Sequence, residues 1–138
     1  MTTSIRLPYA SASSGQSAIS ALASVLLTLR RAEHSLASSA LLDSGSTVNV
    51  LPYALGLQLG LVWEQQTTPV HLTGLLARLP ARGVIVSGQI ASLPSVELAF
   101  AWTQSNDVPI ILGQVNFFME YDICFYRSQS EFELKPKR

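Results

Sequence analysis

A single cysteine, Cys124, rules out an internal disulfide, so any fold must be held by its core. Set between aromatics in "YDICFY", that cysteine reads as a small buried hydrophobe. Histidine is nearly as scarce. His34 and His71 stand far apart, so a zinc site of ordinary ligand count is not expected and no metal is assigned. Charge is sparse as well: 13% of residues, nine basic against nine acidic, with a formal net charge of zero. Scattered Lys and Arg leave no basic footprint, which argues against a nucleic-acid partner. No apolar run is long enough to span a bilayer. The longest, "AISALASVLLTL" at residues 18–29, is interrupted by serines. It also lacks secretory flanks, since Arg6 is the only cation well before it and "RR" follows where a small-residue cleavage site belongs. A cytoplasmic protein with no membrane partner is expected.

Apolar side chains, by contrast, are plentiful. They make up 48% of 138 residues, enough for the core of one domain. So few charges on so small a domain suit a surface partly hidden in an oligomer. Residues 1–17, with the polar stretch "SASSGQS", read as a flexible leader, and 18–138 as the domain. "IRLPY" has the composition to dock as an edge strand.

Strands are predicted over about 24–31 and 39–43, with "AEHSLAS" as the turn between them and His34 solvated in it. "YALGLQLGL" reads as a short helix or turn. "TPVHLTG" and "GVIVSGQIASLPSVELAFAW" alternate like strands between Gly and Pro breaks. "VPIILG" is a short apolar strand, "QVNFFMEY" a short helix, and "DICFYRSQSEFEL" a closing hairpin before the solvated end "KPKR". The fold class is therefore mostly β, a barrel or sandwich with one or two short helices. The aromatics Trp63, Trp102, Phe117, Phe118, Tyr121, Phe125 and Tyr126 are assigned to core or interface.

One stretch stands apart: "ALLDSGSTVNVLP". Asp43 follows two leucines and precedes Ser-Gly-Ser. A carboxylate that joins an apolar run is costly unless its surroundings satisfy it. Ser44 and Ser46 bring hydroxyls, and Gly45 removes a side chain so that another backbone can approach. The residues describe a carboxylate on a tight, hydrogen-bonded turn. A serine nucleophile is not indicated, because no Gly-x-Ser-x-Gly elbow surrounds Ser44.

"ALLDSGS" followed much later by "PIILG" resembles the retropepsin-like aspartic proteases. "LGLQLGL" and "ILGQVNFFMEYDICF" are similar to bacterial members in particular. The resemblance covers residues 19–134. It implies a closed acid-protease β-barrel active as a twofold dimer, hydrolysing peptide bonds without a cofactor. It implies Asp43, Ser44 and Gly45 as catalytic residues, with Ile111, Leu112 and Gly113 supporting their loop. Asp107 in "QSND" and Asp122 in "EYDICF" lack the glycine turn, so the second carboxylate is expected from a second copy of the chain. Ser44 would then lock the two loops together across the axis, and Gly45 would accept substrate main chain. Ser46 would bond the outer oxygen of Asp43, with a preference for acidic pH as the consequence. Ser46, Asn49, Gly74, Leu75 and Leu76 are the substrate-binding candidates, and Asn49 with Val50 would line specificity pockets. The last three residues would tip a β-hairpin flap in "HLTGLLARLPARG". Gln114 stands where retroviral members carry Arg, and Thr47 and Val48 offer it no acid. A charge pair looks exchanged for neutral groups. The functional expectation is a homodimeric aspartic endopeptidase acting on a peptide or protein substrate. A non-catalytic dimeric peptide-binding module and a protease limited to self-processing are the alternatives.

Overall fold

A computed structural model describes residues 3–9 and 22–137. The chain folds as a closed six-strand barrel and a separate three-strand sheet. The barrel begins with β2 (Ser24–Arg31), where Val25, Leu27 and Leu29 point inward and Leu26 points out. Strand β3 (His34–Leu42) pairs antiparallel with β2, from Arg31↔His34 to Ser24↔Leu41. The turn between them is Ala32-Glu33, with Ala32 at a φ of 54°. The seven-residue turn read from "AEHSLAS" is thus too long, and His34 lies in a strand. Its exposed ring covers Gly60, where an added Cβ would come 2.7 Å from it. Small and polar residues in "HSLASSA" hide the alternation, and cross-strand pairing sets the strand instead.

The remaining barrel strands are β4 (Asn49–Leu51), β5 (Ala81–Ile90), β6 (Val96–Thr103) and β7 (Ile110–Leu112). The order β2-β3-β7-β4-β6-β5 closes through the β2–β5 pairing. Two pairings place the site. β3 and β7 run parallel with Leu42↔Leu112, and β7 runs antiparallel to β4 with Val50↔Ile111. The chain leaving β3 is thereby held beside the chain leaving β7. Leu27, Leu51, Leu98, Phe100, Trp102 and Leu112 fill the interior. Helix α1 (Tyr53–Gln58) lies over Trp102, whose indole occupies the space a Cβ on Gly56 would need. Tyr53 stacks on the same ring at 5.5 Å.

Outside the barrel, β1 (Ile5–Pro8), β9 (Glu131–Pro136) and β8 (Tyr121–Tyr126) form the order β1-β9-β8. Ile5–Pro8 pairs along β9 as an edge strand, so the leader reading does not hold for these four residues. Residues 10–17 of that leader lie outside the described residues. The end "KPKR" is also more engaged than expected. Lys135 and Pro136 belong to β9, and Lys137 Nζ reaches Glu120 at 2.8 Å. Cys124 is exposed, not buried: it shares the outward face of β8 with Asp122. The short helix α2 (Phe117–Glu120) links β7 to β8, and buried Phe117 packs on Tyr121 at 4.8 Å. "TPVHLTG" makes no strand beyond a single bridge, Pro69↔Arg82. Among the described residues no helix is long and apolar enough to cross a membrane.

Candidate active site

Asp43 is the first residue past β3. Its N–H donates to Leu112 O at 3.0 Å, which carries the β3–β7 pairing one step further. The chain then turns sharply. Gly45 N–H donates to Asp43 Oδ1 at 2.9 Å, and Ser46 N–H to Asp43 O at 3.1 Å. The carboxylate is therefore partly buried and aimed by its own loop. Its hydrogen-bond donor is the Gly45 amide. The Ser46 hydroxyl donates elsewhere, to Val48 O at 2.7 Å, so the expected Ser46–Asp43 contact is absent. The preference for acidic pH that rested on that contact loses its basis.

Behind the loop, the chain after β7 acts as a brace. Gln114 N–H donates to Ser46 O and Val115 N–H to Thr47 O, both at 2.9 Å. A Cβ on Gly113 would stand 2.5 Å from Val48 O and 2.7 Å from Ser46 O, so only glycine allows this approach. The Gln114 side chain also joins in, with Nε2 donating to Ser44 O at 2.8 Å. A neutral amide bonded to backbone thus does the bracing where a charge pair is missing. Gln114→Ala is expected to lower stability by about 1 kcal/mol or less, since the contact is exposed. Chemical denaturation at fixed protein concentration measures this.

Asn49 is not a substrate contact. It is fully buried, and its side chain ties three segments together. Oδ1 accepts Gly113 N–H at 2.8 Å, while Nδ2 donates to Ala99 O at 2.9 Å and Asn116 Oδ1 at 3.1 Å. Asn116 extends the network by accepting Ala99 N–H and donating to Glu97 O. The sequence reading missed this scaffold. Its signal was an amide between two valines in "TVNVLP", a polar residue in an apolar strand.

A cleft of about 470 Å³ opens over Asp43. Gly45, Ser46, Val50 and Ile111 line one wall, and Gly74, Leu75 and Leu76 line the other. The flap candidates thus face the carboxylate, but their geometry differs from a β-hairpin. Only the base pairs, through Val70 N–H to Ala81 O and Gly83 N–H to Thr68 O. The tip Gly74–Leu76 is a 3-10 turn, with Gly74 at a φ of 66° and Leu75 wholly exposed. Leu72, Leu76 and Leu79 pull the tip inward by packing with Val50 and Ile111. Leu112 faces the core behind the loop. Exposed Ser44 lies on the other flank of Asp43. There a shallower recess of about 350 Å³ is bordered by Tyr9, Leu22, Phe125 and Arg127.

No protein-family model and no curated protein matches the chain. A solved structure does: a retropepsin-like aspartic protease from Rickettsia conorii. The two share a TM-score of 0.71 over 99% of this chain and 94% of that one, at 9% sequence identity. The chain therefore has the retropepsin-like fold.

Proposed function

We propose that two copies of the chain pair about a twofold axis to form an aspartic endopeptidase. Each copy contributes one Asp43, and the two carboxylates share a proton over a bound water. One acts as base to that water as it attacks the peptide carbonyl, and the other protonates or hydrogen-bonds the carbonyl oxygen. The observation that carries this reading is the position of Asp43. It borders a peptide-sized cleft on one side and a recess with exposed apolar rims on the other. The loop's bracing favours catalysis over bare peptide capture, since reacting groups must be held within fractions of an ångström. Asp107 also lines the cleft, but on a loop without the glycine turn, so it does not complete a matched pair.

In this reading Ser44 reaches across the axis to the partner loop, and Gly45 meets the substrate main chain. Gly74, Leu75 and Leu76 cover the peptide with an apolar lid, and Ser46 lines its path. The second copy sits over the recess, where Leu22 and Phe125 are 52% and 40% exposed. Burying such a patch is a common basis of symmetric pairing. Phe125→Asp is therefore expected to shift the protein to monomer in light scattering. It should also cut digestion of a denatured protein by at least about tenfold at any pH where the wild type is active, because the site is halved. A wild-type monomer that digests as fast as any dimer fraction would end the proposal.

A further inference from the structure

The cleft is also lined by Asp107, Val108 and Pro109, the last residues of the loop 104–109 between β6 and β7. This loop is polar in sequence, yet it is pinned on both sides of that residue. Tyr53 N–H donates to Ser105 O at 3.0 Å, and Ala54 N–H to Asn106 Oδ1 at 2.8 Å, fixing the loop to the start of α1. Asp107 N–H donates to Ser105 Oγ at 3.0 Å. On the other side, Val108 packs with Val50, Leu72 and Ile111. The carboxylate is thus presented from a fixed backbone. The cleft it lines is mostly apolar, with Leu72, Leu75, Leu76 and Pro109 among its residues and Ser46, Thr47 and Thr73 as its uncharged polar side chains. Besides Asp107 and Asp43, no charged residue lines the cleft, and neither of the two ion pairs among the described residues involves Asp107.

We infer that Asp107 is a specificity-determining residue that selects a basic side chain in the bound peptide and disfavours an acidic one. This rests on the reading that the cleft holds an extended peptide. Lysine and arginine suit the surroundings twice over. Their methylene stems lie against the leucine and proline wall, and their cations reach the carboxylate. An acidic side chain at that position would meet the like charge of Asp107, and no basic residue lines the cleft to offset it. Selection here is mostly rejection of the wrong charge.

The test uses peptides of one apolar sequence that carry Lys, Gln or Glu, with the variable residue moved along the peptide one position at a time. Binding to the full chain is read by fluorescence anisotropy at neutral pH, and cleavage is read separately. At one position the wild type is expected to bind the Lys peptide about tenfold more tightly than the Glu peptide. Asp107→Asn should compress that ratio to about twofold, and Asp107→Lys should invert it. Salt should shrink the wild-type preference, as screening requires and a merely structural role would not. Wild type without a Lys-over-Glu preference at any position overturns the assignment, and so does a preference unchanged in Asp107→Asn. Peptides that bind with the preference but stay uncut leave Asp107 in its role and count against the endopeptidase instead.

Discussion

Asp43→Asn abolishes peptide cleavage, by an expected factor of at least about a thousand, because the loss of general acid–base chemistry alone reaches that scale. The fold should survive. Asparagine has the same shape, and its Oδ1 still accepts the Gly45 N–H that now meets the carboxylate at 2.9 Å. Thermal unfolding of the variant should therefore match the wild type, which separates lost chemistry from lost structure. Mixing tests the shared site directly. If each active unit needs an Asp43 from both copies, wild-type and variant chains that exchange freely yield mixed pairs with one carboxylate. Activity then falls with the square of the wild-type fraction, to about one quarter in an equal mixture. A linear fall would mean that one chain suffices, and retained cleavage in pure Asp43→Asn would remove Asp43 from the mechanism.

The reach of the sequence depends on how local each signal is. The Asp43 loop was legible because its chemistry is written in consecutive residues, and its brace because "IILG" is a fully apolar run that ends on glycine. β2, β5, β6 and β7 were legible through alternation or unbroken apolar character. β3 was legible only at its end, since "HSLASSA" takes its structure from the partner strand. The flap hairpin was misjudged because Leu72, Leu76 and Leu79 satisfy a second small core instead of a ladder. Cys124 was misplaced by its aromatic neighbours. Period-two reading puts it with Asp122, on the face that β8 turns outward. The substrate role expected for Asn49 followed from its nearness to the Asp43 loop in sequence. Its real partners, Ala99, Gly113 and Asn116, lie 50 or more residues away and come together only in the closed barrel.

That barrel-wide connection makes Asn49 the position of largest expected stability loss. Asn49→Ala removes one acceptor and two donated hydrogen bonds from a site with no solvent exposure. Gly113 N–H and Ala99 O lose a buried partner, and each orphaned group costs about 1–3 kcal/mol. A total loss of about 3–5 kcal/mol is expected, a large share of the stability of a domain this size. Asn49→Asp does not rescue it. A carboxylate keeps the bond to Gly113 N–H but turns two acceptors, Ala99 O and Asn116 Oδ1, against its second oxygen. The two variants should therefore fail together, whereas a role for Asn49 in contacting substrate would leave both folded. Urea denaturation at fixed protein concentration measures the loss as a lower midpoint with an unchanged slope. A drop under about 1 kcal/mol would mean that water or a neighbour replaces the amide. Activity at a temperature where Asn49→Ala is still folded carries a second readout. With Gly113 no longer anchored to Asn49, the Gln114 and Val115 amides that follow it hold the carbonyls of Ser46 and Thr47 less firmly, so the turn that aims Asp43 loosens and cleavage should fall further than the folded fraction does.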